Sequence, residues 1–465
     1  MKTALALIAA SLAKAFVIPS QQQLSLFGEV LPHRDQQRIP QLSDDTQLLE
    51  DETYFLPHAV RTSENIGRLI EQPHKVDILP FEPDDEGVEH GGDWDNDWED
   101  NYSIQSHPDA QLRGGHHPGH GHFNMTLYEM IKSSSHTKIF AKLVDKFDDV
   151  VDILNSTSSN HTVFIPTDKA FEEFRGHPHV SDKLIKKVIM YHIAPEQYPT
   201  QRVFTSRTVP TLLEPHELGH YPQRICTQFG LKGLTLNFFV SIIKSNLYGT
   251  NGVAHGLNHI LIPPFPAAET INFVPTFFST FELGLFKTGL FKYINDTSTH
   301  SGATFFAPTN HAFRKLGFRL NAFLFSRCGE KYLDALLKYH ISYNRTLYSD
   351  AYNKPKHKDA NPESIHVDLP TLLKDHHLSI DIEHINRFVN FKINGFTSVT
   401  VPDAVARDGV IHVLNRVLIP PCHPRDKVCR DNELIYNPYS DDEEEPFFNL
   451  TVEDLIDRLD PYLEN

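Results

Sequence analysis

Two histidines and a glutamate in the first half of the chain have the spacing of a zinc peptidase site. The segment His216-Glu217-Leu218-Gly219-His220 matches H-E-x-x-H, which on a helix puts both imidazoles on one face with the glutamate as general base. Pro215 and Pro222 bracket the segment and Gly219 lies inside it, so a continuous helix is unfavourable. We interpret it as a hairpin loop and keep the zinc peptidase as the alternative.

A second group of histidines lies in a glycine-containing tract. It comprises His116, His117, His120 and His122. Imidazoles in such a tract bind Zn or Cu weakly and without fixed geometry, so we expect adventitious binding or a pH-responsive linker. The sequence shows neither a serine nucleophile elbow nor a phosphate-binding glycine loop. We therefore predict no enzymatic activity and no cofactor.

The charge of the chain excludes one class of partner. A formal net charge of −17 opposes nucleic-acid binding, which needs a basic surface. The chain also has 28 histidines, and with an ordinary pKa near 6.5 most of them would be protonated at about pH 5. The net charge would then change sign in acidic surroundings, which suggests pH-dependent adhesion as a hypothesis.

The first 15 residues have the pattern of a secretory signal peptide. A charged start is followed by the apolar run Ala4 to Leu12 and by Ala13-Lys14-Ala15, after which we expect cleavage. The sequence shows neither a transmembrane segment nor a lipid-anchor signal. We predict a secreted protein of the extracellular space or cell wall, with the vacuole lumen as the alternative.

In a secreted protein, asparagines in N-x-Ser/Thr triplets can be glycosylated and cysteines can form disulfides. Candidate glycosylation sites are Asn101, Asn124, Asn155, Asn160, Asn295, Asn344 and Asn449. The four cysteines are Cys226, Cys328, Cys422 and Cys429. In an oxidising compartment we expect them to be paired, and three pairings are open. The short loop between Cys422 and Cys429 favours that pair.

The ends of the chain differ in composition from its middle. Residues 16–122 are rich in Pro, Asp, Glu and His, and we predict that they are mostly disordered. Residues 422–465 form an acidic, cysteine-containing tail. Within it, Thr451 and Asp454 predict a capped helix with Leu455, Ile456 and Leu459 on one face.

The middle of the chain is an internal repeat. Four blocks recur in the same order: 162–171 and 304–313, 184–192 and 332–340, 209–213 and 369–373, and 252–263 and 409–420. They predict a strand, a corner and a helix, then an amphipathic helix, a strand with a turn, and a closing strand. In the second copy, Lys374 to Leu378 takes the place of Glu214 to Leu218 after the same strand, which supports the hairpin interpretation of the zinc-like motif.

These blocks resemble the fasciclin-like domain family. The resemblance covers residues 123–264 and 270–421, and rests on the P-T-[DN]-x-A-F block, the Tyr-His pair and the Gly-Val-x-His closing strand. It implies an α+β fold of two tandem β-wedge or sandwich domains with helical layers. The composition favours a fungal member of the family.

The resemblance also implies a function. The family's adhesion motif falls on Tyr191-His192 and Tyr339-His340, although a histidine at that position is also compatible with a hydrogen-bonded core residue. Asp403-Ala404 and Asn246-Leu247 occupy the place of the family's acidic-aliphatic pair, and neither copy keeps it intact. We predict adhesion to a cell-surface, cell-wall or matrix protein or polysaccharide, with weak self-association. A metal- or pH-responsive secreted or vacuolar protein without adhesive role is the alternative.

Overall fold

A computed structural model gives the architecture of the repeat and of the C-terminal helix. It describes residues 124–174, 180–230, 233–298, 300–354, 357–358, 364–385, 388–421 and 450–463. The predictions for the signal peptide, for residues 16–122 and for Cys422 and Cys429 lie outside these residues.

The first repeat, domain 1, begins with three short helices and continues into a sheet. Its helices are α1 Leu127–Ser133, α2 Lys138–Val144, α3 Asp148–Asn155, α4 Asp182–Tyr191 and α5 Thr200–Thr205. Its strands are β1 His161–Pro166, β2 Ile193–Ala194, β3 Thr208–Pro210, β4 Arg224–Gly230, β5 Gly233–Leu236, β6 Val240–Gly249 and β7 Gly252–Leu257. The strand order is β2-β1-β7-β6-β5-β4-β3, and only the β1–β7 pair within it is parallel.

The second repeat, domain 2, has the same plan. Its helices are α6 Ala267–Asn272, α7 Pro275–Lys287, α8 Leu290–Asn295, α9 Asn310–Lys315, α10 Phe318–Leu324 and α11 Glu330–Tyr339. Its main sheet contains β8 Ala303–Pro308, β9 Ile341–Tyr343, β13 Ser364–Pro370, β14 His377–Ile385, β15 Phe388–Ile393, β16 Thr397–Ala406 and β17 Gly409–Leu414. A small sheet contains β10 Thr346–Leu347, β11 Tyr352–Lys354 and β12 His357–Lys358. The main order is β13-β14-β15-β16-β17-β8-β9, with β8 and β17 parallel.

Each sheet curls until its two edges approach one another. In domain 1 the two edge strands are β2 and β3. Leu212, just after β3, donates its N–H to the carbonyl oxygen of Ile193 in β2 at 2.8 Å. Leu372 N–H and Ile341 O make the same bond at 2.7 Å in domain 2. The fold is therefore a strongly twisted, wedge-like sheet with helices packed on it, as the α+β prediction requires.

The predicted amphipathic helices are α4 and α11. Helix α11 buries Leu333, Leu336 and Leu337 in the domain 2 core, and α4 buries Leu184 and Ile189. The apolar positions recur at helical spacing, so one face of each helix packs on its sheet. This prediction is confirmed in both copies.

The corner after the first strand also has the predicted form. In domain 2 the Thr309 hydroxyl caps α9 by accepting from Ala312 N–H at 3.2 Å. In domain 1 the corresponding segment, Asp168–Phe174, is a 3₁₀-helix. The predicted closing strand is shorter than expected, because β7 ends at Leu257 and β17 at Leu414.

The predicted C-terminal helix is present as α12, Val452–Leu459. Thr451 and Asp454 form a capping box at its start. Leu455 and Leu459 are buried in the domain 2 core, and Ile456 is half-buried against it. Within the described part of the chain, no helix has the length and apolar character needed to cross a membrane.

Candidate functional site

His192 lies at the C-terminal end of α4 and is fully buried. Its Nδ1–H donates to Val188 O at 2.7 Å, and its Nε2 accepts from Leu261 N–H at 3.0 Å. Both ring nitrogens are thus bonded as a neutral imidazole requires. Burial lowers the pKa of His192 to about 4, so the ring is neutral at pH 7.

His340 repeats this arrangement at the end of α11. Its Nδ1–H donates to Leu336 O at 2.8 Å, and its Nε2 accepts from Leu418 N–H at 2.9 Å. Burial again lowers the pKa to about 4. In both domains the histidine fastens the helix end to the segment that follows the closing strand.

The tyrosine of each pair bonds to the opposite side of the sheet. Tyr191 donates its hydroxyl to Arg224 O at 3.0 Å and accepts from Asn237 Nδ2 at 2.8 Å. The Tyr339 hydroxyl accepts from Asn394 Nδ2 at 3.0 Å, and burial raises its pKa to about 12. Both tyrosines are fully buried, so the Tyr-His pair shapes the core and does not present a surface.

Asp403 and Asn246 occupy equivalent bulges in β16 and β6, with φ of 64° and 58°. Asn246 Oδ1 accepts from Thr200 N–H at 2.8 Å and from its hydroxyl at 3.0 Å. Asp403 likewise accepts from Ser349 N–H at 2.7 Å and from the Ser349 hydroxyl. Asn tolerates positive φ better than most residues, and both side chains brace a loop rather than face solvent.

His255 and His412, in the closing strands, complete this network. Their Nε2–H groups donate to Tyr198 O at 2.8 Å and Leu347 O at 2.7 Å. Burial lowers both pKa values, that of His255 to about 4. The closing-strand motif contained these residues, but nothing in the sequence distinguished a core role from a surface one.

The buried histidines reduce the number of charges that the pH hypothesis can count on. His192, His255 and His340 remain neutral well below pH 6.5 because charging them in the core is unfavourable. In contrast, exposed His366 has a raised pKa because its Nδ1 lies 2.6 Å from Asp381 Oδ1. The histidine count therefore overstates the charge gained near pH 5.

The zinc-like motif is a loop, as the hairpin interpretation predicted. His216–Leu218 is a single 3₁₀ turn, and Gly219 and His220 have positive φ. The loop connects β3 to β4, with Thr211 N–H donating to Gln223 O at 2.9 Å. Among the described residues there is no group of three or more metal-binding side chains, so the structure does not support the peptidase alternative.

The alignment of this loop with the second repeat was wrong in detail. In domain 2, Thr371 N–H bonds to His376 O at 2.9 Å, so His376 is the counterpart of Gln223. The domain 2 hairpin is shorter, and the zinc-like segment is an insertion in domain 1 with a contact of its own.

That insertion docks on domain 2. Glu217 O accepts from Gly302 N–H at 2.7 Å, and Glu217 Oε1 lies 3.8 Å from Arg407 Nε. Nearby, Gln223 Nε2 donates to Ala406 O at 3.2 Å. The glutamate that the motif suggested as a general base is thus part of the seam between the two domains.

In a second contact across the seam, a side chain of domain 2 bonds to the backbone of domain 1. Asp350 of domain 2 accepts from Arg207 N–H at 3.1 Å and from Thr208 N–H at 2.7 Å, both on domain 1. Arg224 Nη2 lies 3.8 Å from the same carboxylate. Arg207 Nε also lies 3.8 Å from Asp403 Oδ2. The two arginines and Asp350 are largely buried and Asp403 is fully buried, and these two positive and two negative charges join the domains into one pair.

The cysteines of the repeat do not pair with each other. Cys226 is fully buried in the cluster that joins domain 1 to the domain 2 core, whereas Cys328 is exposed. Neither forms a disulfide in the described part of the chain. The expected pairing of Cys422 with Cys429 stays a prediction.

The sequon asparagines of the described chain are all exposed. They are Asn124, Asn155, Asn160, Asn295 and Asn344. Asn101, Asn449 and the histidines at 116, 117, 120 and 122 lie outside the described residues.

The structure thus shows two α+β wedges in tandem, with the motif residues in the cores and at the domain seam. The Fasciclin domain family model matches residues 135–263 and 276–420. The chain therefore belongs to the fasciclin domain family, whose domains are of the cell-adhesion type.

Two curated relatives and one solved structure are similar to the chain. Aurofusarin biosynthesis cluster protein S of Gibberella zeae is 30% identical over 371 residues, which cover 75% of this chain and 89% of that protein. Fasciclin-1 of Schistocerca americana is 24% identical over 269 residues, 56% of this chain and 39% of that protein. A FAS1 domain pair from the insect cell adhesion molecule Fasciclin I covers 61% of this chain and 96% of that chain, with 18% identity and a TM-score of 0.32.

Proposed function

We propose that this protein is a secreted glycoprotein whose tandem fasciclin domains attach it to a cell surface, cell wall or extracellular matrix. The observation that carries the proposal is that both domains match a family of adhesion-type domains. The partner would be a protein or polysaccharide of that surface, and the action would be binding without catalysis.

The geometry supports a particular mode of binding. The Tyr-His pairs and Asp403 are buried and fully used in internal hydrogen bonds, so a ligand that binds the folded protein meets other residues. The polar seam, with Asp350 from one side and Glu217 from the other, favours presentation of both domains as one unit. Attachment would then depend on the intact pair rather than on either motif alone.

Secretion and attachment are tested with the full chain carrying a C-terminal tag. We expect the protein in the medium and in the wall fraction, without residues 1–15, and we expect purified protein to bind isolated wall or matrix material. Finding the protein in the vacuole lumen would instead favour the alternative of a vacuolar protein without an adhesive role. Loss of binding after His216→Ala and His220→Ala, together with stoichiometric zinc in the parent, would revive the metal interpretation.

A second candidate function follows from the relative in Gibberella zeae. That protein is named for a biosynthesis cluster and is similar to this chain over 75% of its length. By this account the chain is a non-catalytic partner of secreted biosynthetic enzymes. Co-purification with enzymes encoded beside its own gene, and no binding to wall material, would favour it over adhesion.

A further inference from the structure

One fully buried residue holds together three segments at one end of domain 1. Asn251 Oδ1 accepts from Leu127 N–H at 2.8 Å, and Asn251 Nδ2 donates to Leu154 O and Ser156 O, both at 2.8 Å. The Asn251 backbone carbonyl accepts from His161 N–H at 3.0 Å. The start of α1, the end of α3 and the start of β1 therefore meet at this residue.

Three sequons flank these same segments. Asn124 precedes α1, Asn155 is the last residue of α3, and Asn160 comes directly before β1. The hydroxyl of Thr126, which completes the first sequon, donates to Asn155 Oδ1 at 2.8 Å. All three asparagines are exposed although the residue that joins their segments is buried. We call this group the domain 1 pole.

The matching end of domain 2 carries two more sequons. Asn295 is the last residue of α8, as Asn155 is of α3. Asn344 lies in the turn after β9, where its Oδ1 accepts from Ser301 N–H at 3.0 Å. The stack of Tyr293 on Tyr343, with ring centroids 5.6 Å apart, brings α8 against that turn. Asn295 and Asn344 are exposed and form the domain 2 pole.

We propose that both poles carry N-linked glycans. The domain 1 glycans would cover one end of domain 1, and the domain 2 glycans would lie beside the seam, because Asn344 N–H donates to Gly302 O and Gly302 N–H donates to Glu217 O. The proposal rests on the secretion proposed above, because the donor, a lipid-linked oligosaccharyl diphosphate, is a substrate of the secretory pathway. The C1–O bond breaks and the lipid diphosphate leaves with its electron pair as the C1–Nδ2 bond forms, while a base of the glycosyltransferase takes the proton that the amide loses. Asn155 and Asn344 use their oxygen atoms in the internal bonds above, which leaves the nitrogen side for a glycan.

The covered poles restrict where a ligand can bind. A glycan is bulky and hydrated, and three of them at one pole would keep a large partner away from the start of α1 and the end of α3. Binding would fall on the remaining faces of the pair. Enzymatic removal of the glycans from native protein should therefore leave attachment to wall or matrix material unchanged.

The test maps the glycans on the full chain secreted from a eukaryotic host. Peptide N-glycosidase digestion in ¹⁸O-water converts each glycosylated Asn to labelled Asp, which tandem mass spectrometry locates. We expect at least one labelled residue in each pole, with Asn155 and Asn295 among them. A secreted protein with either pole unlabelled would overturn the inference.

Variants and a second leader separate this result from the proposed function. Asn155→Gln and Asn295→Gln should each remove one glycan from the mass of the protein. Asn272→Gln changes an exposed asparagine outside any sequon and should leave the mass of the glycans unchanged. A version with a heterologous secretory leader in place of residues 1–15 enters the secretory pathway whether or not the native leader works, and so tests the glycans at both poles. If only the native leader fails to direct secretion, that result counts against the proposed secretion and not against the poles.

Discussion

Replacing Asp408 with Asn should stabilise the protein at neutral pH. Asp408 is fully buried at the position that Asn251 occupies in domain 1. Its Oδ1 accepts from Ala267 N–H at 2.8 Å, but its Oδ2 has no hydrogen-bond partner among the described residues. In domain 1 the corresponding group is an NH₂ that donates to two carbonyls at the end of α3. Asp408→Asn supplies that donor and removes a buried charge.

The magnitude follows from the pKa of the carboxyl group. Burial raises the pKa of Asp408 from 3.8 to about 6, and each unit corresponds to about 1.4 kcal/mol, so ionisation destabilises the fold by about 3 kcal/mol. The folded state holds its proton longer than the unfolded state does. The penalty is therefore absent below pH 3.8, grows between pH 3.8 and 6, and is complete above pH 6.

Urea unfolding followed by circular dichroism at pH 4.5, 5.5, 6.5 and 7.5 measures this difference. Asp408→Asn should exceed the parent by about 3 kcal/mol at pH 7.5 and by progressively less towards pH 4.5. The reverse change in domain 1, Asn251→Asp, should destabilise because two carbonyls lose their donor. A gain for Asp408→Asn that is the same at all four pH values, or no gain, would refute the reasoning.

Three further changes test other parts of the structure. His340→Gln should cost about 1–3 kcal/mol at pH 7.5, because two buried backbone groups lose their imidazole partner. The parent loses stability as pH falls from 6.5 to about 4, since the unfolded histidine takes up its proton first, so urea midpoints should show the variant's deficit shrinking at pH 4.5. Asp350→Ala should loosen the domain seam and raise the radius of gyration in X-ray scattering, whereas exposed Asp368→Ala should not. Gly409→Ala should cost about 3 kcal/mol in thermal unfolding, because its Cβ would lie 2.1 Å from Ala303 O. A Cβ at Gly230 would meet no atom of the described residues within 4 Å, so Gly230→Ala should be nearly neutral. Equal losses for the two glycine variants would contradict the close-approach argument.

The sequence predicts the helices and strands of the two domains well because most of them depend on residues that are close together in the chain. The spacing of Leu333, Leu336 and Leu337 and the cap at Thr309 depend on neighbouring residues, and the structure has both features. The glycine that opens each closing strand instead meets a requirement between strands, since Gly252 lies against the backbone of His161 on the neighbouring strand β1. Duplication then turned each local signal into two independent observations.

The roles of the site residues depend on distant partners that no local pattern contains. Tyr191 and Asn237 meet across the sheet, and Asp350 meets Thr208 across a separation of 142 residues. The same limit affects the histidines, because composition reports their number and not their burial. The zinc-like loop was interpreted correctly from its Pro and Gly residues, but its docking through Glu217 needed the second domain in place.

The measurement that tests the central claim most directly is saturable binding of the purified full chain to isolated cell-wall and matrix material. The account predicts saturable binding that survives a chelator and the paired change of His216 and His220 to Ala, and that disappears on unfolding. Absence of saturable binding by the folded protein, together with chelator-sensitive hydrolysis of a protein substrate, would contradict it.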